Sequence, residues 1–285
     1  MIGSAQISLN TATVREQCNL RQAIDLCHRY GIGGIAPWRE KLLECGVDEA
    51  KRLIQDSDLR VSGLCRGGMF TLEDHISQNI LDDNKKAVDE AAAIQAECLV
   101  MVVGGLKTNS KDLTGSRRQV EEGLFKTLEY ARTVKIPVAI EPLHPMYAAD
   151  RACVNTLKHA LDLCDQMGEG IGVAVDVYHC WWDPELESQI KRAGKKRLLA
   201  FHICDWLLET KDLLMDRGMM GDGVIDIALI RNWMESEGFD GLKEVEIFSQ
   251  ENWWKRNPDE VVSICLLYTS PSPRDQRGSR MPSSA

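Results

Sequence analysis

The stretch Val138-Ala139-Ile140-Glu141-Pro142-Leu143-His144-Pro145 decides the fold. An apolar run without a polar break needs cover on both faces, so it reads as a buried parallel strand. Pro142 has no N–H to give a ladder and stops the strand. Glu141 is thereby left at the carboxyl end of a buried strand, where parallel α/β sheets and barrels put their chemistry. Three later stretches have the same form: Gly172-Val-Ala-Val-Asp176, Leu199-Ala-Phe-His202 and Glu244-Val-Glu246-Ile-Phe248. Each carries a metal-capable side chain at or near its end.

Working outward, strand and helix signals alternate. Strands are expected at residues 5–9, 34–36, 59–65, 98–103, 137–141, 171–176, 198–203 and 243–248. Helices are expected at 19–30 (capped by Asn19 and ended by Gly31), 47–56, 81–96, 116–134, 152–167, 184–193 and 225–237. In the 81–96 helix, Asp82 and Asp83 are placed in the first turn, and Pro184 is placed at N1 of its helix. Arg66-Gly67-Gly68 reads as the loop after the third strand. Eight strands with helices between them, over about 265 residues, predict a single (β/α)8 TIM barrel over residues 1–265. A doubly wound sheet is the alternative; it rarely needs eight strands, and no glycine fingerprint follows the first one. Asn257 and Pro258 open an eighth helix. After Cys265 the composition changes to five Ser, three Pro and three Arg in residues 266–285. That tail resembles translated sequencing-adapter sequence and reads as disordered and foreign, which would truncate the last helix; a native basic tail is the alternative.

Net charge over the 285 residues is −9. The tail holds Arg274, Arg277 and Arg280 against Asp275, so the rest carries −11. A nucleic acid is therefore not an expected partner. No basic, apolar leader opens the chain, and no run approaches the ~18 apolar residues that span a bilayer. The ten cysteines form no C-x-x-C pair, which points to buried thiols in a reducing cytoplasm.

Glu141, Asp176, His202 and Glu246 lie 35, 26 and 44 residues apart, about one β/α unit each. Taken singly, such a carboxylate is a helix cap or an ion-pair partner. Four at the ends of successive strands point to a shared divalent ion. Three carboxylates and one imidazole make a hard site suited to Mn2+, with Mg2+ or Co2+ as alternatives. Such an ion polarises a carbonyl, and a carboxylate beside it can move a proton on the neighbouring carbon.

From Ala139 onward the chain resembles the xylose isomerase-like superfamily of TIM barrels, the sugar phosphate isomerases/epimerases. The motifs are Glu141, Asp176-x-x-His179, His202 followed by Asp205, Arg217-Gly-x-x-Gly-x-Gly223, and Glu246. In layout the resemblance covers roughly residues 5 to 262; its motifs lie in the second half. It implies that Glu141 and Glu246 bind the metal and exchange protons with substrate, and that His179 and Arg217 hold substrate oxygens. His144 resembles a feature of one subgroup, the large subunits of C-glycoside deglycosidases, where it would be the base for β-elimination; packing in the loop is the alternative. The endonuclease IV branch is excluded by missing histidines after the third and fourth strands.

Trp38, Trp181, Trp182, Trp206, Trp253 and Trp254 follow strands and could wall a sugar pocket or a subunit interface. Trp38, Trp181 and Asp205 complete the expected substrate-binding set. The expectation is a cytoplasmic, metal-dependent isomerase or epimerase acting on a sugar or keto-sugar. Elimination from a 3-keto-glycoside or inosose is the runner-up, and a non-catalytic sugar-binding barrel the third reading. A homo-oligomer, or a second subunit for a deglycosidase-like protein, is the expected assembly.

Overall fold

A computed structural model describes residues 3–107 and 109–269. In chain order its elements are β1 Ile7–Asn10, α1 Leu20–Tyr30, β2 Gly34–Ala36, α2 Arg39–Cys45, α3 Val47–Asp56, β3 Arg60–Val61, β4 Leu64–Gly68, α4 Gln78–Ala93 and β5 Leu99–Val102. There follow α5 Leu113–Val134, β6 Val138–Ile140, α6 Leu157–Met167, β7 Ile171–Asp176, α7 Val177–Cys180, α8 Leu186–Arg197, β8 Leu198–Ile203, α9 Ile227–Ser236, β9 Lys243–Val245 and α10 Pro258–Thr269. All strands pair in parallel, in the order β3-β2-β1-β9-β8-β7-β6-β5-β4. The two ends of that order are halves of one strand broken at Ser62-Gly63. Cys65 N–H donates to the Pro37 carbonyl at 3.2 Å, and Ser62 N–H to that of Ile35 at 3.2 Å, which brings both halves against β2. The fold is the expected α/β TIM barrel, with the third stave divided.

The division corrects the expected third strand. Arg66-Gly67-Gly68, read as a loop, lies inside β4, where the pairing with β5 shifts register between Cys65 and Gly67. Gly68 has φ +103°, and a Cβ there would sit 2.2 Å from the Val102 carbonyl oxygen. Only glycine fits so close a backbone approach. Other differences are local. The chain after Trp38 forms α2, which the sequence reading omits. Ser77 caps α4 at Gln78, so Asp82 and Asp83 lie past its first turn. Thr156 caps α6 five residues later than expected, and α8 starts at Leu186 with Pro184 outside it. β9 stops at Val245, although Glu246 N–H still donates to the Ile203 carbonyl at 3.1 Å. The last helix runs through Thr269; residues 270–285 of the proposed tail lie outside the described residues.

Inside the barrel, Ala139, Ala174 and Ala200 pack with Cys98 and Val100. Side chains alternate along a strand, so residues two apart share a face. Each alanine therefore stands directly below one of Glu141, Asp176 and His202. Small residues in this layer leave room for large polar groups in the next.

Candidate metal centre

The four strand-end residues meet. Glu141, Asp176, His202 and Glu246 are 5%, 1%, 1% and 4% exposed. Each offers a ligand atom, and these atoms lie within 4.8 Å of one another. His202 Nδ1 is 2.9 Å from Glu141 Oε1 and 3.9 Å from Glu246 Oε2. Arg217 Nη1 is 3.0 Å from Asp176 Oδ2 and 3.3 Å from Glu246 Oε2. The guanidinium is clamped between the rings of Tyr178 and Phe248, with its carbon 4.4 and 5.0 Å from their centroids.

A second buried layer supports the first. His202 Nε2 has no hydrogen bond within the usual limits; Glu244 Oε1 faces it at 3.5 Å. Glu244 is fixed by Asn10 Nδ2 at 2.7 Å and Ser62 Oγ at 2.7 Å. Asn10 Nδ2 also donates to Glu246 Oε1 at 3.0 Å, so one amide ties both carboxylates. The sequence reading assigned neither Asn10 nor Glu244. The signal for Glu244 was its spacing, two residues before Glu246 on one strand and hence on the same face.

The electrostatics follow from this crowding. Burial, together with the charges of Glu141 and Asp176, pushes the Glu246 carboxyl up to about 8, against the pull of Arg217 and His202. Burial disfavours the His202 imidazolium, but Glu244, Glu141 and Glu246 outweigh it and hold that ring well above the usual histidine range. Burial raises Asp176, yet Arg217, His179, His202 and the Tyr178 N–H bring it below the ordinary carboxylate value. A buried carboxyl held protonated beside other carboxylates marks a site short of positive charge. Three carboxylates and an imidazole facing one point are a donor set that fits a divalent cation.

A cavity of about 240 Å³ reaches this cluster, lined among others by Trp38, Glu141, His179, Arg217, Glu246 and Phe248. His179 is pushed down to about 3 by burial and by Arg217, so its ring is neutral near pH 7. Its Nε2 is 3.2 Å from Arg217 Nη2. Sequence reasoning missed Tyr147, Asp150, Arg151, Arg66 and Phe248, which also line the cavity. No strand-end motif marks the first four, which come from loops and from inside β4; Phe248 ends the stretch that carries Glu246 but has no chemistry of its own to signal a role.

Three residues expected at the site stand elsewhere. The His144 ring stacks on Trp206 at 5.2 Å and meets Trp182 edge-on at 5.6 Å; its backbone N–H donates to His179 Nδ1 at 3.3 Å. Trp181 packs against Trp206 at 5.8 Å in the same aromatic group. Neither lines the cavity. Asp205 is 1% exposed and accepts the backbone N–H groups of Trp206, Gly221, Gly223 and Ile225. It organises the loop between β8 and α9 and does not face the cavity.

The family model described as xylose isomerase-like TIM barrel matches residues 24–263. The chain belongs to that family. Protein SMc04130 from Sinorhizobium meliloti 1021, known as a crystal structure, is 55% identical, with a TM-score of 0.91, covering 93% of this chain and 98% of that one. The inosose isomerase of Halalkalibacterium halodurans is 24% identical, covering 90% of this chain and 92% of the relative. The IOLI protein, solved with a bound zinc atom, is 20% identical with a TM-score of 0.79, covering 93% and 96%.

Proposed function

We propose that this protein is a divalent-metal-dependent sugar isomerase or epimerase that moves a proton on the carbon beside a carbonyl. The observation that carries the reading is one cavity reaching three carboxylates and an imidazole at the ends of adjacent strands, with Glu141 and Glu246 in its wall. Similarity to relatives called inosose isomerase supports the reaction class, and the zinc in the IOLI structure supports the cation.

Glu141, Asp176, His202 and Glu246 would hold the ion, with Mn2+ the first expectation and Mg2+ or Co2+ close behind. When bound, it would polarise the substrate carbonyl and make the neighbouring C–H more acidic. Glu141 and Glu246, in the cavity wall, would take and return the proton. If one removes it and the other returns a proton to the opposite face of that carbon, the product would be an epimer; return to the former carbonyl carbon, with the neighbouring hydroxyl's proton passing to the former carbonyl oxygen, would give an isomer. Arg217, whose Nη1 pairs with Asp176 and Glu246 and whose Nε has no partner, and neutral His179, with its single N–H, would hold substrate oxygens, and the clamp between Tyr178 and Phe248 fixes the guanidinium without ordering cost at each turnover. Trp38 and Phe248, 5.5 Å apart edge to face, offer an apolar wall for the sugar's C–H face. Elimination needs His144 as base, and its ring is engaged with Trp206 and Trp182, which favours the isomerase reading.

The test is incubation with ketoses and inososes in deuterated water. Deuterium in recovered sugar, lost after chelation and restored by added metal, is the expected result. A purified protein that binds no Mn, Mg, Co or Zn sinks the reading, as does exchange that persists without metal.

A further inference from the structure

The cavity wall carries two arginines that proton transfer does not use. Arg66, in β4, is half-buried and lines the cavity, yet its side chain makes no hydrogen bond or ion pair among the described residues. Arg151 lines the same cavity. Its Nε is buried without a hydrogen bond, and the nearest carboxylate oxygen, Asp150 Oδ2, is 3.7 Å away. Its guanidinium lies 5.7 Å from the Tyr147 ring centroid. Arg39 and Arg192 are held closer, by Asp83 and Glu90 and by Asp162 and Asp165, at 2.6 to 3.0 Å. Arg217 Nη1 is occupied by Asp176 and Glu246, although its Nε has no partner. A guanidinium drawn partly out of water has five donors to satisfy and no acceptor role to play.

We propose that the substrate carries an oxyanion, a carboxylate or a phosphate, besides its reacting carbonyl, and that Arg66 and Arg151 receive it. This inference rests on the sugar isomerase reading above. Forked guanidinium contacts to an oxyanion are short and strong, and they fix orientation as well as affinity. They would set which end of an acidic sugar meets Glu141 and Glu246.

Calorimetry on the metal-loaded protein tests this with D-fructose, D-fructuronate and D-fructose 6-phosphate, metal content being measured on the same samples. At least one acid is expected to bind about tenfold or more tightly than fructose, as charge-assisted pairs allow. The two acids distinguish carboxylate from phosphate. The advantage is expected to fall below about threefold in Arg66→Gln and in Arg151→Gln, with metal content unchanged. Arg66→Lys, which keeps the charge and loses the fork, is expected to retain part of it. Equal affinity for all three sugars, no binding of either acid, or a preference that survives both glutamine variants overturns the proposal. Metal-loaded protein without acid preference sinks this inference alone, whereas protein that takes up no metal sinks the isomerase reading beneath it.

Discussion

Glu246 gathers most of the centre's electrostatic strain. Burial and the neighbouring carboxylates raise its carboxyl to about 8, and His202 is raised as well. A group whose folded-state pKa is raised stabilises the fold fully below its unfolded value, and loses that contribution as pH climbs through the folded one. Metal-free protein is therefore expected to lose stability between about pH 4.5 and 8 through Glu246, with His202 acting in the same direction above about 6.5. Cation binding displaces those protons, so the melting-temperature gap between loaded and stripped protein is expected to widen over that range; thermal scans with and without chelator measure it. Glu246→Gln is expected to lower the rate of solvent-deuterium exchange by about 10²–10⁴-fold, as for other positioned proton-transfer groups. Glu244→Gln is expected to weaken metal affinity by about 10–100-fold, measured by competition with a chelating dye, because it faces the far nitrogen of His202. Glu141, Asp176 and His202 were legible because each closes an apolar run, and Glu246 because it sits in the next strand of the same series. Glu244 was not assigned, since a carboxylate stacked beneath another in a barrel core contradicts the usual rule for buried charge. His144 and Asp205 matched motifs, but a motif does not say which way a side chain turns. His144 turns into an aromatic group, and Asp205 turns onto its own loop.

Elements place these residues, and their boundaries were harder to read than their order. Alternation of strand and helix gave the staves because apolar runs such as residues 98–103 and 171–176 admit little else. The third stave escaped because Arg66-Gly67-Gly68 looks like turn chemistry. In place, the glycines let β4 lie against Val102, a tertiary requirement with no local signature. Gly68→Ala is expected to cost about 1–3 kcal/mol or more, through its left-handed φ and the clash with Val102, as read by chemical denaturation. The loop after β8 is held by one carboxylate accepting four backbone N–H groups. Asp205→Asn leaves some of those donors unsatisfied and is expected to destabilise by about 1–3 kcal/mol while metal content holds. Were Asp205 instead a substrate ligand, binding affinity would fall with no loss of stability.

For the molecule as a whole, count and length were enough to choose the barrel. They could not say which loops cover its mouth, because long-range packing leaves no period in the sequence. Tyr147 and Tyr178 show this: both hydroxyls donate to the Leu213 carbonyl, joining the segment after β6, α7 and the loop after β8. The cysteines behave as the composition implied. Nine of the ten are buried, and only Cys45 is partly exposed. Burial holds several thiols high, Cys27 at about 12. A thiol reagent such as Ellman's is therefore expected to label Cys45 first in folded protein, with the others reacting only on unfolding.

The alanine floor formed by Ala139, Ala174 and Ala200 is complete without the polar side chains standing on it. The cation would thus be a detachable part seated in a finished frame. Dialysis against a chelator should leave the circular dichroism spectrum in place, and reloading should need no refolding step. Rival ions should then exchange at this seat as simple competitors, ranked by how well each suits three oxygens and a nitrogen.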